Sequence, residues 1–147
     1  MKPIENKYVR SSYDLLDCFE AGLVLHGAEV KSIKKGAVHL KAAYVILENN
    51  QLWLKNTHIA PYQRNNQPHY DPERPRKLLL RRTEINSIIG KLHNAGLTLI
   101  PKKVYSKRGL IKVEICLGRG LKKYDKRAKL KKRDLDRETA RELKQKR

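Results

Sequence analysis

The chain has 147 residues, 34 of them Lys or Arg and 15 Asp or Glu, giving a formal net charge of +19 with 39% hydrophobic content. One domain with an appendage fits that length, no apolar run approaches the roughly 20 residues of a membrane span, and no signal-peptide core follows Met1. Cys18 and Cys116 are too few and too far apart for a secreted disulfide framework or a zinc ribbon, so the expectation is a reduced, cytoplasmic, membrane-free protein whose charge takes a polyanion.

Residues 13–25 predict a long strand with Tyr13, Leu15, Phe19, Ala21, Leu23 and Leu25 on one face; Gly22 marks a bulge or sharp bend. Ala28–Lys35 predicts a short helix stopped by Gly36. Tyr44–Glu48 and Leu52–Lys55 predict a hairpin across Asn49-Asn50, both tolerant of positive φ. Pro61–Arg76 carries four prolines in sixteen residues, which forbids a regular ladder and predicts a functional or disordered loop. Thr83 offers a helix cap, and Ile85, Ile88, Ile89 and Leu92 repeat at helical spacing, with Gly96 closing. Leu97–Tyr105 and Leu110–Leu117 follow as strands, the second with Lys112 and Glu114 on a wet face.

Beyond Gly118-Arg119-Gly120 the composition shifts. Residues 1–119 hold 21 basic and 10 acidic side chains, and residues 120–147 hold 13 and 5. Four large aliphatics in Leu121–Arg147 cannot offset an ordering cost of roughly 1–2 kcal/mol per residue, yet the tail is rich in helix formers. The domains are therefore a barrel domain, 1–119, and a basic tail, 120–147, hinged at Gly120. The tail is expected to be disordered when free and helical against a negatively charged surface. The fold class is mainly β with flanking helices (α+β): a small closed antiparallel barrel of the oligonucleotide-binding type.

Catalytic chemistry finds little support. The five histidines show no metal-ligand spacing; Cys18 and Cys116 sit in strands, where small buried apolar residues are commoner than nucleophiles; and the carboxylates are too scattered for a two-metal site. No catalytic residue, metal or cofactor is expected. Aromatic and basic residues interleave instead at Tyr62, Arg64, His69, Tyr70, Arg74 and Arg76, and again at Lys122, Lys123, Tyr124, Lys126 and Arg127. Such mixing suits base stacking with phosphate neutralisation. Glu20 stands on the strand face of Leu16, Cys18 and Val24, so either that face is wet or Glu20 has a polar partner such as Arg81 or Arg82.

Five ordered blocks carry a resemblance: Phe19-Glu20-Ala21-Gly22, Gly27-Ala28-Glu29-Val30-Lys31-Ser32, Tyr44-Val45, the run Asp71 to Leu80, and Gly118-Arg119-Gly120-Leu121-Lys122-Lys123-Tyr124-Asp125-Lys126-Arg127. From Asn6 onward the chain resembles the SmpB (small protein B) family, the SsrA-binding proteins of bacterial trans-translation. The resemblance implies a non-enzymatic, monomeric adaptor. Its partners would be the tRNA-like part of transfer-messenger RNA and the stalled ribosome, at the small-subunit decoding region and messenger RNA channel. It carries an RNA-contacting role onto Glu20 and Leu79. Arg81 stands where the family has His or Asn and, unable to accept a hydrogen bond, is expected to pair with Glu20 or a phosphate. Arg74, Arg76 and Lys77 complete the expected RNA surface. Tyr124, at an aromatic position often occupied by His, is expected at the decoding centre with Asp125, Lys126 and Arg127. A ribosomal-protein-like rRNA binder is the alternative.

Overall fold

The structure, a computed structural model, describes residues 1–93 and 96–121 together with Arg133, Leu135 and Arg137. Along it run β1 (Ile4–Glu5), α1 (Lys7–Ser12), β2 (Tyr13–Leu23), α2 (Gly27–Lys34), β3 (Val38–His39), β4 (Tyr44–Glu48), β5 (Gln51–Lys55), β6 (His58–Ile59), β7 (Arg76–Leu79), α3 (Arg82–Leu92), β8 (Leu97–Lys107) and β9 (Leu110–Gly120). Seven strands form an antiparallel sheet in the order β1-β8-β4-β5-β7-β2-β9. Because β8 also pairs with β9, the six strands from β8 round to β9 close into a ring. This is the expected barrel of the oligonucleotide-binding type, and closure removes the open edges that would otherwise invite pairing.

Period-2 alternation fills the barrel. Leu52 and Leu54 of β5, Leu78 of β7, Ala21 of β2, and Val113, Ile115 and Leu117 of β9 all point into one core, which α2 and α3 plug with Ile33, Ile85 and Ile88. Each of the buried Leu, Ile and Val side chains contributes roughly 1.5–3 kcal/mol by burial. The β4–β5 hairpin turns on Asn49 and Asn50, at φ 52° and 58°, as the sequence predicts. The short pair β3–β6 forms a separate two-stranded sheet that the sequence pattern did not announce.

Several local expectations shift. The irregularity in β2 lies between Leu15 and Cys18, where its register against β9 slips, and not at Gly22. That slip explains why Asp17 breaks the alternation: a bulge residue turns the strand's faces over. Helix α3 is capped at Arg81, two residues earlier than Thr83 suggested, where the Glu84 carboxylate reaches back to accept the Arg81 backbone N–H at 3.2 Å. The strand ladder extends through Gly120, paired with Tyr13, and the Leu121 N–H still donates to the Ser12 carbonyl at 3.0 Å. Gly120 is therefore held in the sheet, so a hinge there is not what the structure places. Arg133, Leu135 and Arg137 have helical backbone; the remaining expectations for the tail lie outside the described residues.

The proline-rich stretch is irregular, as expected, but firmly anchored. Glu29 of α2, 1% exposed, and Arg76 of β7, 0% exposed, form a buried ion pair at 2.6 and 2.9 Å. Arg76 also donates to the carbonyls of Thr57 (2.6 Å) and Pro72 (2.9 Å) and to the Tyr70 hydroxyl (3.0 Å). Arg74 donates to the other Glu29 oxygen, and the Glu29 carboxylate also accepts the His26 backbone N–H. Burial pushes the Glu29 carboxyl up, but the hydrogen bonds from Arg74, His26 and Arg76 outweigh it and hold the pKa at about 2. Burial and the Glu29 charge together raise the Tyr70 hydroxyl to about 12, keeping it neutral. Arg76 is thus corrected from RNA contact to internal fastener, and Arg74 is largely engaged in the same pair. The alternation around Leu78 carried that signal, since Arg76 shares its inward face.

Cys18 and Cys116 stand in register on β2 and β9, with Cα atoms 4.0 Å apart, and are joined as a disulfide. This corrects the expectation of two free thiols: sequence separation does not limit contact once antiparallel strands pair. Only Cys116 is buried; Cys18 lies on the outer face.

Removing one partner of a buried pair costs about 3–5 kcal/mol, so Glu29→Gln should lower the stability read from urea unfolding at pH 7 by about that amount. The folded-state pKa lies below the ordinary 4.5, so the contribution of Glu29 is complete above pH 4.5 and fades as pH falls through 2. The variant should accordingly lose less stability between pH 7 and pH 3 than the parent. An equal loss in both would contradict the assignment.

Candidate nucleic-acid interface

Side chains that face out of the barrel are ordered by the same register that fills its interior. Gly22 of β2 pairs with Leu79 of β7 on one side and Lys112 of β9 on the other, and Lys112 pairs in turn with Tyr105 of β8. One row across four strands therefore reads Leu79, Gly22, Lys112, Tyr105. The adjacent row reads Glu20, Glu114, Lys103. Directly opposed side chains of a pleated sheet share a face, so both rows form one continuous outer surface.

Gly22 lets the rows close up. A Cβ there would stand 3.3 Å from the Leu79 Cβ and 3.7 Å from the Lys112 Nζ, so the missing side chain brings an aliphatic and an ammonium group together. Leu79 is 52% exposed, an unusual position for a leucine at the centre of a sheet face. Beside it opens a concavity of about 500 Å³ lined by Glu20, Leu79, Leu80, Arg81, Glu84 and Lys112. Glu20, distant in sequence from Leu79 and Arg81, thus meets them on one surface.

Glu20 confirms the wet-face alternative and has a partner, but not an arginine. Its carboxylate accepts the Tyr105 hydroxyl at 2.5 Å and Lys107 Nζ at 3.4 Å. The Tyr105 hydrogen bond, helped by Lys107 and Lys112 against a smaller desolvation effect, holds the Glu20 carboxyl below its ordinary pKa. Burial and the Glu20 charge conversely push the Tyr105 hydroxyl up. The expected Arg81–Glu20 pair is not formed, and the Arg81 side chain is exposed at the rim. Tyr105 and Lys107 are the residues that sequence reading missed, and Lys112, read there only as part of a wet strand face, joins them at Glu20. Only the strand register could have found them, because nothing in their spacing links them to Glu20.

Of the remaining expected contacts, Lys77 points outward on β7 next to Leu79, while Arg76 faces the core. The loop cluster divides: Tyr62 lies under Lys31 and Lys35, 5.5 and 4.6 Å from its ring centre, and Tyr70 turns inward to Glu29. Tyr124, Asp125, Lys126 and Arg127 lie outside the described residues. Among the described residues, Cys18, Glu114 and Cys116 bring three potential metal-ligand atoms within 4.8 Å of one another. With the two sulfurs bonded to each other and Lys102 and Lys103 beside Glu114 at 3.6 and 3.5 Å, the group offers a cation no thiolate.

The family description "SmpB protein" matches residues 3–145. An SsrA-binding protein of Desulforudis audaxviator is 46% identical over 137 residues, covering 93% of this chain and 90% of that protein. One of Thermoanaerobacter pseudethanolicus is 48% identical over 142 residues, covering 97% and 91%. Among solved structures, one described as "tmRNA-SmpB: a journey to the center of the bacterial ribosome" matches with a TM-score of 0.69 and 38% identity, over 88% of this chain and 95% of that one.

The hydroxyl of Tyr105 is the strongest influence on the Glu20 carboxyl, so Tyr105→Phe should move its titration midpoint upward, toward 4.5. Carboxyl-carbon NMR across pH 2–7 reads this directly. An unmoved midpoint would show that Lys107 and Lys112 alone hold the charge.

Proposed function

This chain belongs to the SmpB family, and on that premise we propose that it binds the tRNA-like part of transfer-messenger RNA and carries it to stalled ribosomes for trans-translation. It acts in the cytoplasm as a monomeric adaptor, by binding rather than by catalysis. The observation that carries this reading is the meeting of Glu20, Leu79 and Arg81 on one concave outer face of a barrel whose chain carries +19.

The chemistry of that face supports recognition of a folded RNA. Arg81, Lys107 and Lys112 attract phosphates, and their attraction is indifferent to sequence. Glu20 does the reverse: an ionised carboxylate repels phosphate and accepts hydrogen bonds from base amino groups and ribose 2′-hydroxyls. Positioned by its hydrogen bond from Tyr105, it admits only a backbone that turns a donor toward it. Leu79 offers an apolar patch to a ribose or base face. The surface therefore combines general attraction with a local requirement on shape.

The tail takes the ribosome as its partner in this reading. Its repulsion is cancelled by rRNA phosphates, and its helix propensity then suffices for order. Tyr124 stacks on a decoding-centre base while Lys126 and Arg127 hold phosphates. A helix of about 20 residues reaches roughly 30 Å into the messenger RNA channel.

Glu20→Ala should weaken the complex with the tRNA-like RNA by roughly tenfold without altering the melting curve. An unchanged affinity in gel-shift titration would reduce the face to a structural one. Replacing Asp125, Lys126 and Arg127 together by Ala should leave that affinity intact and abolish peptide tagging in a reconstituted stalled-ribosome reaction; full tagging by the triple variant would refute the division of labour.

A further inference from the structure

Trp53 is the chain's single tryptophan and does not serve the core. On β5 the neighbouring Leu52 and Leu54 are buried, and Trp53 between them faces outward, half-buried. It forms one wall of a surface groove of about 460 Å³ whose other sides are Glu48, Asn49, Gln51, Lys55 and Pro75. Among the described residues no side chain hydrogen-bonds its indole N–H.

Register ties this groove to the Glu20 face. Trp53 pairs with Lys77 of β7, and Leu79 lies two residues further along the same strand face. Two residues at roughly 3.3 Å each set the groove about 7 Å from the row that holds Leu79 and Lys112. The indole, the exposed Pro75 and the outward Lys77 thus form an aromatic and cationic step continuous with the candidate RNA surface. Glu48 is the single acid at the groove and is paired with Lys55 at 3.7 Å.

We propose that Trp53 is a stacking platform for one unpaired nucleobase of the bound RNA, with the adjoining phosphate held by Lys77. This rests on the RNA-binding reading above. The reason is physical: a large aromatic face kept at a polar surface loses much of the burial that tryptophan ordinarily gains, whereas a base stacked on it restores that burial in a sequence-tolerant way. The cationic neighbours and the continuity with the Glu20 face favour a nucleotide over a peptide.

Because Trp53 is the sole tryptophan, its emission reports this position alone. The full chain is titrated with the transcribed tRNA-like part of transfer-messenger RNA, reading indole fluorescence and gel-shift binding in parallel. Quenching that follows the binding curve is expected, with Trp53→Ala weakening affinity about tenfold and Trp53→Phe retaining most of it. Binding with unchanged emission, or equal weakening by Trp53→Ala and Trp53→Phe at unchanged melting temperature, would overturn the platform while leaving the RNA-binding reading intact. Absence of any gel shift would instead overturn that reading, and the platform with it.

Discussion

Closure of the antiparallel ring decides where every outward side chain stands. With β8 paired to both β4 and β9, no strand can slip by one residue without turning its apolar set to solvent and its charged set inward. The same register that buries Leu52, Leu54, Leu78 and Val113 therefore also lines up Leu79, Gly22, Lys112 and Tyr105 across four strands. Core and candidate binding face are two sides of one ladder. This is why Tyr105 and Lys107 of β8, 85 and 87 positions away in the chain, and Lys112 of β9 can act on one carboxylate of β2.

Two glutamates illustrate how the surroundings divide similar chemistry. Glu29 and Glu20 both have carboxyls held below the ordinary range, the first against strong burial by two arginines and a backbone N–H, the second mainly by a tyrosine hydroxyl in open solvent. The buried one is fully consumed by Arg74, Arg76, Tyr70 and His26, so it fastens the proline-rich segment to α2 and has nothing left to offer a ligand. The exposed one retains acceptor capacity beyond Tyr105 and Lys107. In the proposed RNA-binding role, a carboxylate set among Lys107, Lys112 and Arg81 is a selective element, since it subtracts attraction wherever a phosphate would otherwise settle.

Barrel, hairpin and main helix were legible in the sequence because they rest on local patterns: alternation in β2 and β9, the i, i+3, i+4 spacing of Ile85, Ile88 and Ile89, and an Asn-Asn turn. Glu20, Leu79 and Arg81 were legible through the family blocks, and the structure brings them together. What was not legible depends on pairing between distant strands. Arg76 looked like one more base in a basic loop, and only its position two residues before Leu78 hinted that it faces the core. Tyr105 and Lys107 gave no local signal at all, nor did the Cys18–Cys116 bond, which follows from register alone.

The proposed binding mode has RNA engage the outer face built on β2, β7 and β9 and leave the buried Glu29 side of the barrel untouched. Backbone amide chemical-shift mapping of the full chain with the tRNA-like RNA tests it most directly. The largest shifts should fall at Glu20, Gly22, Leu79, Arg81 and Lys112, with the segment around Tyr70 and Pro72 unmoved. Shifts concentrated on that segment and α2, with the Glu20 row silent, would place the RNA on the opposite side of the barrel and overturn this binding mode.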